Sequence, residues 1–323
     1  MELTEIQTLA EKVRKNISEV IVGKTEVIDH LLVSLIASGH VLLEDVPGMG
    51  KTLLAKSMAK SLSCTFNRIQ FTPDLLPTDI TGINFFSQVK GEFQFRPGPV
   101  FSNILLGDEI NRATPRTQSS LLESMEEKQV TVDGETRKLD QPFMVIATQN
   151  PVENQGTFPL PEAQLDRFLL KVKLGYPTKS ESIDILKRFK DKDPLEEIEA
   201  VVTKEELLEA QHIYRNVHVS DDILGYIIDI VEQTRQNESI ALGVSPRGSQ
   251  ALLKAVQAYA AIKGRTYVIP DDVKQMVKAV LGHRIQVKQR MGSRENRIDS
   301  ILEEILTLVT VPADDPTKEW VAK

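Results

Sequence analysis

Residues His40 to Leu54, HVLLEDVPGMGKTLL, constrain this chain more than any other stretch. A short apolar run, Val41-Leu42-Leu43, reads as a buried strand. It breaks at Asp45 into a loop holding Pro47, Gly48 and Gly50. Lys51-Thr52 then open a helix that continues through Leu53-Leu54-Ala55-Lys56. Strand, glycine loop, Lys-Thr and helix, in that order, form the context of a phosphate-binding loop. Without bulky side chains the loop backbone can turn its N–H groups inward around phosphate oxygens. The helix start adds unpaired donors and the positive end of a dipole. Val46, Pro47, Gly48, Met49, Gly50, Lys51, Thr52 and Leu53 are therefore the expected nucleotide-binding segment. Lys51 is expected to reach the β- and γ-phosphates, and the Thr52 hydroxyl to ligate Mg2+.

The loop departs from the usual G-x-x-x-x-G-K-S/T pattern, because Asp45 stands where the first glycine belongs. A carboxylate facing phosphates would repel them, so Asp45 is expected to face away. Gly23-Lys24-Thr25 also spells G-K-T. It follows the helical stretch Val13 to Val22 with no glycine-rich loop before it, and is expected to be an ordinary turn.

The remaining composition narrows the function classes. A net charge of −7 argues against a protein that coats nucleic acid or an anionic membrane. The single cysteine, Cys64, excludes an internal disulfide and a multi-thiolate metal site, and reads as a small buried apolar residue. The first residues, MELTEIQTLAEKVRKNI, are charged throughout and hold no signal-peptide core. The apolar run Leu31 to Ala37 is too short to span a bilayer, so the expected location is cytoplasmic with no membrane insertion.

Apolar residues at Ile6, Leu9, Val13, Ile17 and Val20 predict a helix over 4–20, and 25–38 repeats the pattern. After the loop helix, Cys64 to Phe71 reads as a strand. Phe85 to Phe95 and Gln129 to Leu139 read as hairpins, turning at Lys90-Gly91 and Asp133-Gly134. Apolar strands are expected at Ile104–Gly107, Phe143–Thr148 and Phe168–Leu174, and a helix at Pro115–Glu127. Beyond Tyr176-Pro177-Thr178 helical periodicity takes over, with helices predicted over 182–189, 204–214, 221–236, 246–263 and 270–281. Thr203, Ser220, Ser245 and Ile269-Pro270 are the expected starts of the last four. The end, Pro312 to Lys323, is expected to fray.

The strand at Ile104 delivers Asp108 and Glu109 at its carboxyl end. Asp108 is expected to hold the magnesium shell and Glu109 to polarise the attacking water. Asn150, just after the next strand, has a neutral amide suited to the γ-phosphate or the lytic water; as Asn150-Pro151 it is also a turn signal. His30, His40, His212 and His218 show no metal or catalytic spacing, and His283, beside Arg284, reads as a lid surface residue.

A phosphate loop, an Asp-Glu pair, an Asn after the following strand and a helical C-terminal part together resemble the AAA+ ATPases. RIQFTPDLLPTDITG (Arg68 to Gly82), LLGDEINRATPRTQSSLLESMEE (Leu105 to Glu127), VIATQNPVENQGTFPLPEAQLDRFLL (Val145 to Leu170) and GVSPRGSQALLKAVQAYAAIKGR (Gly243 to Arg265) resemble the MoxR branch. The resemblance implies an α/β P-loop AAA+ domain with a parallel five-stranded sheet of order 5-1-4-3-2 and two inserted β-hairpins, followed by an all-α lid. The corresponding division is 1–177, including N-terminal helices over 1–39, and 178–323. The hairpins match the helix-2 insert and the pre-sensor-1 insert. Arg167 matches the arginine finger, which in this clade and in magnesium chelatases acts on a neighbour's nucleotide, and Arg247 matches sensor 2. Val22-Gly23 resembles the segment against adenine, with a helix-end turn as an equal alternative. Arg112 and Arg116 read as surface ion pairs before interface residues.

Three kinds of work fit such an ATPase using ATP and Mg2+. The first is remodelling or maturation of a client protein, with a von Willebrand factor A domain partner implied by the resemblance, in a homo-oligomeric, hexameric ring. The second is a nucleic-acid motor or a magnesium-chelatase-like motor subunit. Phosphate tracking needs clustered cations, whereas Lys90-Gly91-Glu92 is nearly neutral and Val132-Asp133-Gly134-Glu135 is acidic, so nucleic acid is not expected. The third is a nucleotide-gated switch with little turnover, against which Glu109 and Arg167 speak.

Overall fold

A computed structural model describes residues 1–46, 48–150, 156–190, 192–288 and 294–312. Pro47 and the turn at Pro151 lie outside these, as do 313–323 of the end expected to fray. The chain opens with α1 (Leu3–Ser18), which buries the predicted face Ile6, Leu9, Val13 and Ile17. In α2 (Thr25–Ile36) every residue from Val27 onward is buried, because α1, the lid and the sheet edge enclose it.

The sheet is built from β1 (Val41–Glu44), β2 (Phe66–Gln70), β5 (Ile104–Asp108), β8 (Met144–Gln149) and β9 (Leu170–Val172). Between them lie α3 (Lys51–Ser61), α4 (Pro77–Thr81), β3 (Gly82–Ser87), β4 (Glu92–Pro97), α5 (Pro115–Glu127), β6 (Gln129–Val132), β7 (Glu135–Lys138) and α6 (Glu162–Leu165). The five strands are parallel in the order β2-β5-β8-β1-β9, which is the expected 5-1-4-3-2. The central strands are continuous apolar runs because both faces are covered. Ile104 and Leu106 enter one core with Val41, Leu43, Met58 of α3 and the lid; Leu105 enters the other with Leu42, Val145 and Leu121 of α5. Alternation along the strand thus welds two apolar layers to one sheet.

Both hairpins form. β3 pairs with β4 over six residues, longer than predicted, and β6 pairs with β7 around Asp133 and Gly134, both at positive φ as a tight two-residue turn requires. Cys64 packs against the first core, and burial pushes its thiol up to about 11.

The C-terminal part holds α7 (Lys179–Arg188), α8 (Pro194–Glu197), α9 (Lys204–Ile213), α10 (Asp221–Gln236), β10 (Ile240–Leu242), α11 (Pro246–Ile262), α12 (Pro270–Leu281), β11 (Gln286–Val287) and α13 (Arg294–Leu308). Thr203, Ser220 and Ser245 cap as expected, each accepting from the N–H three residues on. The start of α12 is closed differently: Asp272 reaches back to the Ile269 N–H. A short antiparallel pair, β10–β11, accompanies the helices, and α13 adds a helix that the sequence reading did not include. The lid docks on the N-terminal helices through α11, and Asp29 of α2 meets both Arg14 (2.7 Å) and Lys263 (2.8 Å). His283 corrects the surface expectation. It is buried, its Nε2 3.0 Å from the Phe168 carbonyl, because the end of α12 packs on the segment entering β9.

Candidate nucleotide site

β1 delivers the loop to the carboxyl edge of the sheet. Gly48 and Gly50 both sit at φ +84, a left-handed conformation in which a side chain is strained. A Cβ built on either meets no atom within 4 Å, so the space beside both glycines is open rather than filled by side chains. Gly50 precedes α3, and no side chain caps that helix. Its first N–H groups are therefore donors in need of an acceptor, which suits an anion. Lys51 bends over the loop, its Nζ donating to the Asp45 carbonyl at 3.0 Å. Thr52 and Leu53 fill the first turn of α3, and Val46 and Met49 flank the glycines. The Asp45 carboxylate turns away as expected. It accepts from the backbone N–H of Leu174 and of Gly175, tying the loop to the chain that leaves β9.

Val22 and Gly23 lie beside the same segment. Lys24 donates to the Gly175 carbonyl at 3.0 Å, and a Cβ on Gly23 would fall on the Glu181 carboxylate. Position 23 thus favours glycine for its φ of +71.

The paired acids reach the same edge. Asp108 Oδ1 accepts from Thr148 Oγ1 at 2.6 Å, and Oδ2 meets Arg68 Nη2 at 2.6 Å. Glu109 follows in a left-handed conformation, φ +59. Its N–H donates to Thr148 Oγ1 at 2.8 Å. Its carboxylate accepts from Gln70 Nε2 at 2.8 Å and pairs with Arg112 Nε at 3.1 Å. Arg112 is therefore in an ion pair, as read, but with the site's own carboxylate. Arg116 is exposed. Asn150, buried, follows β8, the strand between β1 and β5.

Magnesium takes one or two protein oxygens and completes its shell with phosphate and water. Thr52 and Asp108 are such oxygens on this edge, and no cluster of three or more His, Cys, Asp or Glu offers an alternative metal site among the described residues. The donor set fits Mg2+ beside a triphosphate.

Arg167 and Arg247 lie elsewhere. The Leu169 N–H bonds the His40 carbonyl, just before β1 begins, so Arg167 sits at the amino edge of the sheet. Arg247, at the start of α11, joins it there. Both meet Glu126, Arg167 Nε at 3.1 Å and Arg247 Nη2 at 3.2 Å. The length of β1, about 13 Å at 3.3 Å per residue, separates this edge from the loop.

Arg68, Gln70, Thr148 and Glu126 were missed from the sequence. Arg68 and Gln70 share one face of β2 by the two-residue period, which was legible; their register against Asp108 was not.

Residues 40–170 match the model of the ATPase family associated with various cellular activities, and residues 232–305 match an AAA lid domain. The chain is 49% identical to the YeaC protein of Bacillus subtilis over 95% of this chain and 96% of that one. It is 40% identical to Chaperone MoxR1 of Mycobacterium tuberculosis, over 95% of this chain and 83% of the relative. A crystal structure of a protein from Cytophaga hutchinsonii assigned as an ATPase superimposes with a TM-score of 0.89 at 38% identity, covering 96% of this chain and 97% of that one.

Proposed function

This chain belongs to the MoxR branch of the AAA ATPases, and on that premise we propose that it hydrolyses ATP between adjacent copies of itself to remodel client proteins. One observation carries the reading: an open glycine loop and paired acids share one edge of the sheet, while the two arginines share the other. A single chain cannot bring the halves together; a closed ring of copies does so at every interface. A hexamer is the ring size taken from the family.

The residues divide the work. Amides at the start of α3 bind the phosphates, and Lys51 exchanges the Asp45 carbonyl for a phosphate oxygen. Thr52 and Asp108 hold Mg2+, which neutralises charge on the phosphates. Glu109 takes a proton as water attacks the γ-phosphorus, Asn150 orients that water, and the bond from the γ-phosphorus to its bridging oxygen breaks to leave ADP. Arg167 and Arg247 of the next copy offset the charge that develops; such a finger is worth about 10³–10⁵ in rate in GTPases. Val22 and Gly23 border the base. The division at 177/178 separates the nucleotide domain from the lid, and the site of action is cytoplasmic.

The first hairpin supports a protein client over nucleic acid. Its tip exposes Phe86 and Phe93, 54% and 74% accessible and stacked edge to face at 5.4 Å, with Val89 nearly bare between them. Asn84 and Phe95 at its base meet Asp133 and Arg137 of the second hairpin, which ties the two hairpins together. An apolar tip with a single lysine suits an extended polypeptide, not phosphates. A von Willebrand factor A domain protein is the expected adaptor. The test is ATPase activity with apolar peptides or with single-stranded DNA, beside recovery of bound proteins on a Glu109→Gln trap in ATP. Peptide stimulation and a protein catch are expected. Salt-sensitive stimulation by DNA alone would replace this reading with a nucleic-acid motor.

A further inference from the structure

We propose that Glu126 is the positioning residue for the arginine pair, holding Arg167 and Arg247 as one two-pronged unit aimed at the nucleotide of a second copy. The proposal rests on the reading above that those arginines act across an interface.

Three elements meet here, and one side chain spans them. Arg167 comes from the turn after α6, Arg247 from the first turn of α11 in the lid, and Glu126 from the last turn of α5. Each carboxylate oxygen of Glu126 takes one guanidinium, Oε2 that of Arg167 and Oε1 that of Arg247. Two guanidiniums held this close would otherwise repel. The carrier is itself anchored: the Met125 carbonyl, one residue before, lies 3.1 Å from His40 Nε2 beneath the sheet. The lid side is fixed too. Arg284, 4% exposed, pairs with Asp166 Oδ1 at 2.6 Å and donates to the Phe168 and Leu169 carbonyls, while Asp166 Oδ2 stands 3.6 Å from Arg247. Arg167 and Arg247 remain 29% and 51% exposed. A guanidinium carries five N–H donors, so each keeps several for phosphate oxygens. Half-exposed ion pairs contribute little to stability, which leaves geometry as what Glu126 supplies.

The test is Glu126→Ala in the full chain, with Glu126→Gln as the second variant should the first fail to fold. Expected are an unchanged KM for ATP and a kcat lowered about 10- to 100-fold, the scale of a misplaced catalytic group. Mixing that variant with Glu109→Gln protein should restore turnover, because the intact arginine unit of one copy then serves the intact acids of the other. A merely structural defect would not be repaired by a neighbour. Wild-type kcat, or a failure to recover in the mixture while Arg167→Ala does recover with Glu109→Gln, would overturn the role of Glu126. Failure of both mixtures would instead overturn the interface reading beneath it.

Discussion

Thr148 Oγ1 donates to Asp108 at 2.6 Å and accepts from the Glu109 N–H at 2.8 Å, so one buried hydroxyl fixes the side chain of the first acid and the backbone of the second. Thr148→Val keeps the shape and removes both bonds. The Glu109 N–H is then left unpaired, at a cost of about 1–3 kcal/mol. Chemical denaturation should show that loss, and ATPase kcat should fall about 10- to 100-fold as the acids lose their orientation.

Lys51 and Glu109 should fail in different ways. Lys51→Ala removes the cation that crosses the loop to the Asp45 carbonyl, and fluorescent ATP analogues should no longer bind at micromolar concentration. Glu109→Gln keeps the contact with Gln70 in altered form and removes the base. It should bind ATP normally and not turn it over; residual hydrolysis near the wild-type rate would place the base elsewhere.

Asp45 substitutes for a glycine by bonding outward. Asp45→Ala frees two backbone N–H groups, of Leu174 and Gly175, and releases the loop from the chain leaving β9. Bonds to a charged acceptor contribute roughly 1.5–3 kcal/mol. A lower melting temperature and a raised KM for ATP are expected, with kcat little changed because the acids are untouched.

His40 sets a pH limit on the fold. The Val145 N–H donates to its Nδ1 at 2.9 Å, which leaves Nε2 to carry the proton and face the Met125 carbonyl at 3.1 Å. Only the neutral ring satisfies both, and burial lowers its pKa from 6.5 to about 4. The unfolded chain therefore binds a proton that the folded chain refuses between those values. Stability present above pH 6.5 should fall as the pH drops toward 4, by on the order of 3 kcal/mol. Urea unfolding across that range should show the slope, and His40→Gln should reduce it, leaving the part that buried His30 and His283 contribute.

Much of this was legible before any coordinates. The glycine loop, the acids closing an apolar strand and the Asp-Gly hairpin are local features, each set by backbone preferences over a few residues. Their neighbours in sequence are their neighbours in space, so periodicity and turn chemistry suffice. His283 was misplaced for the opposite reason. The charged Arg284 beside it signals a surface, and what buries it is the chain near Phe168, 115 residues away.

The sequence by itself determined the strand–loop–helix that faces a triphosphate, the pair of acids that serve it and, through family blocks, the order of the sheet. Tertiary structure alone decided which side chains hold those groups in place. Thr148 meets Asp108 across 40 residues, and Arg247 meets Glu126 across 121. Such pairings depend on the register of parallel strands joined by long crossovers and on how a lid docks. Neither leaves a periodic trace, because the energy lies in packing between segments, not in the preference of any one of them.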